Sequence, residues 1–423
     1  MSTLNTRPPE TQDDVSGPFA WFRSLSRQGR KAFLGAFGGY ALDSYDFQVL
    51  PLGLVAIAAY FHLSKGQAGL LTTVTLVVSA LGGIFAGVLI DKIGRSRTLM
   101  LTVATYATFT VLCGFAVNYP MLLACRALQG LGFGGEWAAG AILVAEYAST
   151  RYRGRTVAFV QGAWAAGWGL AVIVATTVLD HVHSDLAWRV LFWTGALPGF
   201  LLLYIRRSVK DAPRANSRPE KRETTPVTAV FGHGLLRTTL FASLLATGVQ
   251  GGYYTIATWL PTYLKTERHL TVVGTGSYLF LLITGAFLGY ITGGYLTDWL
   301  GRRKAIALFA VLSGGILFAY THIPAGENQL LLVLGFPLGF CASAIFSGFG
   351  SFLAELYPTD VRGTGQGFTY NVGRAAGAFF PTAVGFQAGG NGLGGALVYG
   401  AIGYVIALVA LLGLPETRGR ALD

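Results

Sequence analysis

Long apolar runs alternate with short polar breaks along this chain. The runs recur at about 20 residues, the length of helix that crosses a bilayer. They predict helices at 34–60, 67–90, 98–116, 119–147, 156–180 and 188–206, and again at 238–263, 273–298, 304–322, 328–356, 365–387 and 394–414. An even number of crossings places both chain ends on one side of the membrane. The expected fold is an all-α integral membrane protein of 12 transmembrane helices arranged as two six-helix bundles.

The breaks differ in charge. Most of the 31 Lys and Arg lie before the first run, in every second break after it, and behind the last run. The intervening breaks hold only Lys65, Arg189, Lys265 and Arg268, while Arg126 and Arg374 sit inside runs. Basic residues stay on the cytoplasmic side, so both termini are expected in the cytoplasm. The formal net charge of +11 then reads as topology and contact with anionic lipid. Its scatter over short loops argues against a nucleic-acid partner.

The longest break, RRSVKDAPRANSRPEKRETTP at 206–226, has the composition of a linker and divides the chain in two. The expected segments are a tail at 1–31, a bundle at 32–206, a linker at 207–236, a second bundle at 237–414 and a tail at 415–423. The first 31 residues carry no short apolar segment with a small-residue cleavage site, so the first run is expected to belong to the mature fold.

The halves repeat one another. GVLIDKIGR at 87–95 aligns with GGYLTDWLGR at 293–302, pairing Gly87, Asp91, Gly94 and Arg95 with Gly294, Asp298, Gly301 and Arg302 at one constant offset. AEYASTRYRG at 145–154 likewise aligns with AELYPTDVRG at 354–363, pairing Glu146 and Arg153 with Glu355 and Arg362. A tight turn between two helices calls for the permissive backbone of glycine, which Gly94 and Gly301 supply.

Composition agrees with a membrane protein. Residues are 52% hydrophobic and 12% charged, about half the charge of a soluble domain. The 58 glycines follow no Gly-X-Y period and suit helices packed closely in a bilayer. Cys113, Cys125 and Cys341 lie in apolar runs at no metal-ligand spacing, and the six histidines fall in or near polar loops. Neither a disulfide framework, a metal nor a cofactor is expected. GLGFGG at 130–135 has the letters of a dinucleotide loop but sits inside an apolar run with no surrounding strand-helix-strand unit. Close helix packing is the better reading.

The repeated Gly-x-x-x-Asp-x-x-Gly-Arg motif, across essentially the whole chain, resembles the major facilitator superfamily. RALQGLGFGGEWAAGAILVAEY (126–147), WRVLFWTGALPGF (188–200) and YNVGRAAGAFFP (370–381) are similar to its metabolite:proton and sialate/lactate:proton symporter groups. LPETRGRAL (414–422) is similar to the closing motif of sugar porters, and KDAP follows the sixth run where many relatives read Glu-Ser-Pro. The resemblance implies two bundles rocking about a central site. It also implies that Asp91 and Asp298 with their arginine neighbours latch the cytoplasmic face in the outward-facing state, within a gate set of Gly87, Asp91, Gly94, Arg95, Glu146, Arg153, Asp298, Gly301, Arg302, Glu355 and Arg362.

Charges inside the runs are the candidate chemistry. Asp43 and Asp46 interrupt GGYALDSYDFQVLPLGLVAIAA at 38–59, Arg126 and Glu136 lie in the fourth run, and Arg374 in the eleventh. Each carboxylate at mid-span costs roughly 2.5–3.5 kcal/mol on insertion scales. At about 1.5 Å per residue, Asp43 and Arg374 share a depth, and Arg126 lies near the level of Asp46. Those depths permit Asp43–Arg374 and Asp46–Arg126 pairings, either as bridges that fix packing or as working groups. The two aspartates, three residues apart, are expected to share one helical face. Asp43, Asp46 and Glu136 against Arg126 and Arg374 leave one negative charge in excess, so an entering monoanion favours loading a proton with it.

The expected substrate set is therefore Arg374 as carboxylate clamp with Asn371, Tyr370, Gln250, Tyr254, Gln161 and Trp164. The expected coupling set is Asp43, Asp46, Glu136 and Arg126, with Asp43 preferred as proton carrier. Gln161, Trp164 and Trp168 share one helix face, as do Gln250, Tyr253 and Tyr254. The sequence reads as a proton-coupled symporter of a small organic anion, a monocarboxylate or sialic-acid-like molecule. It is expected to be a multi-pass monomer of the cell inner (plasma) membrane, and no nucleophile–base constellation suggests an enzyme. A sugar-porter-like carrier, a drug or metabolite exporter, and a non-transporting membrane sensor are the alternatives.

Overall fold

Polar side chains start the helices where the apolar runs begin. Ser26 accepts from the backbone N–H of Gly29 at 3.0 Å, Asn118 from Met121 at 2.9 Å and Thr271 from Gly274 at 3.0 Å. Ser64 and Gln67 satisfy each other's backbone donors in a capping box. Such caps matter because the first turn of a helix has N–H groups with no partner inside it.

A computed structural model describes residues 19–148, 153–182, 186–208, 227–232, 234–324, 326–358 and 360–418. Inside the helices, the side chains at 91, 95, 136–139, 141, 142, 145, 146, 153–155, 202 and 391 lie outside that description. The first half holds α1 (Ala20–Arg23), α2 (Arg27–Tyr60), α3 (Lys65–Ile93), α4 (Arg95–Cys113), α5 (Tyr119–Tyr147), α6 (Arg153–His181), α7 (Ala187–Trp193) and α8 (Leu197–Ser208). The second half holds α9 (Leu236–Thr266), α10 (Val272–Leu300), α11 (Arg302–His322), α12 (Asn328–Glu355), α13 (Arg362–Gly377), α14 (Phe379–Leu397) and α15 (Tyr399–Leu412). No strand occurs among the described residues. Eight helices of the described residues are long and apolar enough to cross a membrane. In a bilayer that preference follows from the backbone, which must satisfy its own hydrogen bonds.

Every predicted run is helical in the main, interrupted at Ala378 between α13 and α14, at Val398 between α14 and α15, and at two further places. A short 3-10 turn at Thr194–Ala196 joins α7 to α8 within the sixth run. The last two runs meet inside α14, where Gly392 has φ 71° and breaks the helix. Glu267 caps the restart by accepting from the backbone N–H groups of Leu393 and Gly394.

The internal repeat is visible in the backbone. Gly94 (φ 89°, ψ 166°) turns α3 into α4, and Gly301 (φ 96°, ψ 152°) turns α10 into α11. Both angles lie where a side chain would be strained. Packing repeats as well: α3 on α5, α4 on α5 and α2 on α6 recur as α10 on α12, α11 on α12 and α9 on α13. Between the halves, α6 meets α10 and α3 meets α14. The glycines of the GLGFGG run make the tight contacts of α5. A Cβ at Gly130 or Gly134 would overlap the backbone carbonyl of Thr75 or Ser79 on α3.

The two ends of the bundle differ. The near face carries the start of α2 and the residues after α15; the far face is its opposite. At the far face the halves are joined, Lys65 Nζ donating to the Ala388 carbonyl at 3.2 Å and Thr73 Oγ1 lying 2.7 Å from Thr382 Oγ1. Toward the near face, a Cβ at Gly87 or Gly294 would meet nothing within 4 Å.

Candidate substrate-binding and coupling site

Between the halves lies a cavity of about 430 Å³, lined by Tyr40, Asp43, Phe133, Gln161, Trp164, Tyr253, Tyr254, Tyr290, Phe346, Tyr370 and Arg374. Helices α2, α5 and α6 of the first half and α9, α10, α12 and α13 of the second each contribute to it.

Arg374 is its cation. The side chain is 6% exposed and stands over the rings of Tyr370 (5.0 Å) and Phe133 (5.6 Å). Nη2 reaches the Tyr370 hydroxyl at 3.4 Å, and the Tyr254 and Tyr40 phenols face the same guanidinium. Nε has no hydrogen-bond partner among the described residues, and no described carboxylate forms an ion pair with Arg374. Asp43 lines the same cavity. A buried guanidinium lacking a carboxylate is a strong attractor for one, because uncompensated charge in such a place is expensive.

The other expected substrate residues divide. Gln161, Trp164, Tyr254 and Tyr370 do line the cavity. Trp164 Nε1 donates to the Tyr253 hydroxyl at 2.6 Å, joining α6 to α9 across the two halves. Gln250 stands behind the wall as a brace. It accepts from the Tyr254 hydroxyl at 3.0 Å and donates to the Tyr370 carbonyl at 3.0 Å. Asn371 is not among the lining residues either. It donates to the Gly367 carbonyl at 2.9 Å and faces Gly83 of α3. The cause is helical: Tyr370, one full turn before Arg374, shares its direction, and Asn371 is rotated off it. Trp168 is buried edge-on to Tyr253.

The two aspartates also separate. Asp43 lines the cavity, whereas Asp46 turns into the first half, where Thr110 Oγ1 donates to its Oδ2 at 3.1 Å. Gln129 Nε2 donates to Thr110 Oγ1 at 2.8 Å, and Arg126 Nη1 donates to Gln129 Oε1 at 2.5 Å. The expected Asp46–Arg126 pairing is therefore a relay through a hydroxyl and an amide, not a direct bridge. Three residues of helix leave 60° between two side chains, enough here to give each aspartate a different neighbour. Asp46 Oδ1 and Arg126 Nε and Nη2 are buried with no partner among the described residues. Thr110 and Gln129 were missed. Gln129 had a signal, one turn beyond a buried arginine; Thr110, a lone hydroxyl in α4, had none. Tyr40 stands one turn before Asp43, while Tyr290 and Phe346 lie in apolar runs with no nearby charge to mark them.

At the near face, Arg302 forks between Asp298 (2.5 Å) and Glu355 (3.2 Å). Glu416 accepts from the backbone N–H groups of Arg302 and Arg303 at 2.9 and 3.1 Å, and Thr417 Oγ1 donates to Glu355 at 2.5 Å. The tail thus caps α11 and joins the cluster. Arg362 is the first residue of α13. The expected site and gate side chains of Asp91, Arg95, Glu136, Glu146 and Arg153 lie outside the described residues.

Two like-packed helical halves enclosing a polar cavity, with apolar helices on the outside, define a multi-pass membrane carrier fold. The chain belongs to the Major Facilitator Superfamily, whose family model matches residues 36–381. A relative from Cupriavidus pinatubonensis named "Probable 4-methylmuconolactone transporter" is 40% identical, over 96% of this chain and 95% of its own. The cis,cis-muconate transport protein of Acinetobacter baylyi is 32% identical over 92% and 94% of the two chains. The sialic acid transporter NanX of Escherichia coli is 29% identical over 93% and 96%. Among solved structures, the proton:xylose symporter XylE bound to 6-bromo-6-deoxy-D-glucose superposes with a TM-score of 0.75 at 20% identity, covering 93% of this chain and 98% of its own. That last likeness speaks to the fold.

Proposed function

We propose that this protein is a proton-coupled symporter that carries a small organic anion by alternating access, as a monomer of the cell inner membrane with twelve spans and both termini cytoplasmic. The observation that carries the substrate class is Arg374, buried in the cavity with phenols around it and no described carboxylate paired to it. Relatives named for muconate, 4-methylmuconolactone and sialic acid support a compact, oxygen-rich, mostly acidic cargo. The aromatic walls suit a flat apolar body, with Trp164, Gln161 and the tyrosine hydroxyls meeting its polar edges.

Asp43 faces the cavity and so carries the proton that accompanies the anion. The Asp46–Thr110–Gln129–Arg126 relay lies behind it and holds α2, α4 and α5 in register while the charge on Asp43 changes. The distribution of basic residues supports a cytoplasmic near face. With the far face joined and the near face open around Gly87 and Gly294, the described state is then inward-facing.

The test is counterflow in proteoliposomes with cis,cis-muconate, sialic acid, nicotinate and xylose at two external pH values. Carboxylate uptake that acidifies the lumen, and that Arg374→Gln abolishes, is the expected result. Xylose transport that survives Arg374→Gln would replace this reading with a sugar carrier. Carboxylate uptake indifferent to pH would remove the proton from it.

A further inference from the structure

A second cavity of about 390 Å³ lies at the far face, between the same helices α2, α6, α9 and α10 that line the central one. Its walls are largely apolar, including Leu52, Val55, Val172 and Leu279. Four polar side chains line it: the half-buried Lys265 and the threonines Thr176, Thr262 and Thr275. Thr262 and Thr275 are each 8% exposed, and neither Oγ1 has a hydrogen-bond partner among the described residues. No described residue forms an ion pair with Lys265.

Hydroxyls in transmembrane helices have an easy partner in the carbonyl one turn back, as Thr266 takes that of Thr262 at 2.8 Å. Thr262 and Thr275 make no such bond, and both residues line the cavity. An ammonium with two free hydroxyl donors, set in apolar walls, is the chemistry that receives a carboxylate on an apolar body.

Helix α9 contributes to the walls of both cavities. Gln250, Tyr254, Thr258, Thr262 and Lys265 follow one another at helical spacing on a single face. Thr258 is fully buried and its Oγ1 also lacks a partner among the described residues. Tyr254 lines the central cavity, Thr262 and Lys265 the outer one, and Thr258 stands between them. From Tyr254 to Thr262 the rise is about 12 Å.

We infer that the far-face cavity is a second carboxylate site, formed by Lys265, Thr262 and Thr275, which captures the organic anion before it passes along Thr258 to Arg374. This rests on the proposed organic-anion function for its physiological role, though the binding chemistry stands on the cavity itself. Lys265 then supplies attraction at the entrance and Arg374 the tighter, buried clamp.

Binding of radiolabelled benzoate to the full-length protein in nanodiscs tests it, with cis,cis-muconate as a second probe. Arg374→Gln should lose the tight component and keep a weak saturable one. Adding Lys265→Gln should weaken that residual binding at least about tenfold, the loss of one charge-assisted contact. Lys265→Arg should restore it, and Thr275→Val, nearly the same shape, should weaken it without unfolding the chain. Arg374→Gln protein that binds neither probe would overturn the outer site and leave the central clamp standing. Residual binding unaffected by Lys265→Gln and Thr275→Val would overturn it too. Full tight binding in Arg374→Gln would sink the central reading alone.

Discussion

The Trp164 indole donates to the Tyr253 hydroxyl at 2.6 Å, a hydrogen bond from α6 to α9 that crosses the interface between the halves beside the cavity. Trp164 also packs within 5.4–5.9 Å of the rings of Tyr40, Phe47 and Phe133, all in its own half. The ring contacts that Trp164 makes with these three residues are thus internal to one half, and its hydrogen bond is the contact of Trp164 that must break if the halves separate there, alongside the Trp168–Tyr253 and Phe47–Tyr254 ring contacts that also cross.

Trp164→Phe keeps the aromatic packing and removes that bond. A net hydrogen bond contributes about 0.5–1.5 kcal/mol, so the balance between carrier states should shift by about two- to tenfold toward the one open at the far face. Tyr253→Phe should give the same shift, and the double variant no more than either alone. Reactivity of single cysteines placed at the far face reads the shift; fully additive effects would show that the two residues act independently.

The Asp46 relay predicts a separation of stability from coupling. Thr110→Val leaves the Asp46 carboxylate and the Gln129 amide each short of a partner, at a cost of about 1–3 kcal/mol. A lower thermal unfolding midpoint in detergent is the expected readout. Counterflow should persist at reduced rate, since none of these residues lines the cavity. Loss of substrate binding by Thr110→Val with an unchanged midpoint would instead put Asp46 in the binding site.

How much of this was legible in the sequence follows from where each signal resides. Helices could be read because length and apolarity are properties of one segment, and Gly94 and Gly301 could be paired because the motif repeats around them. Arg374 was legible because a charge inside an apolar run has few reasons to exist. The divergence of Asp43 and Asp46 was not, since it depends on which neighbouring helix lies at each angle around α2. Gln250 illustrates the same limit: helical phase placed it beside Tyr254, and only the position of the Tyr370 carbonyl makes it a brace. Lys265 read from sequence as one of a few basic residues on the outer side. The threonines that give it a role come from two helices.

The glycines predict two contrasting outcomes. Gly134→Ala puts a Cβ onto the Ser79 carbonyl, a backbone atom that cannot give way. Overpacking of this kind typically costs about 1–3 kcal/mol, and a backbone clash lies at or above the upper end, so little folded protein should be recovered. Gly87→Ala meets open space in this structure and should fold normally. If the near face closes over Gly87 during the cycle, the added methyl should slow turnover severalfold with little change in thermal midpoint. Normal turnover in Gly87→Ala would mean that α3 does not close there.

Arg302 holds Glu355 with two nitrogens, Nη2 at 3.2 Å and Nε at 3.3 Å, while Nη1 takes Asp298. Asp298 is 71% exposed and Glu355 only 11%, so solvent screens the first contact far more than the second. Lysine keeps the charge but cannot make the fork, and Arg302→Lys should therefore behave much like Arg302→Met. Asp298→Asn should be nearly silent for stability, while Glu355→Gln should loosen the near end of α11 against α12. Glu416→Ala removes the acceptor that caps the first turn of α11, with an expected loss of about 0.5–2 kcal/mol. Hydrogen exchange of the amides at the start of α11 measures all of these on one scale. Protection there should fall for Glu416→Ala, Glu355→Gln and Arg302→Lys, and hold for Asp298→Asn; the reverse order would place the anchoring contact on the exposed aspartate.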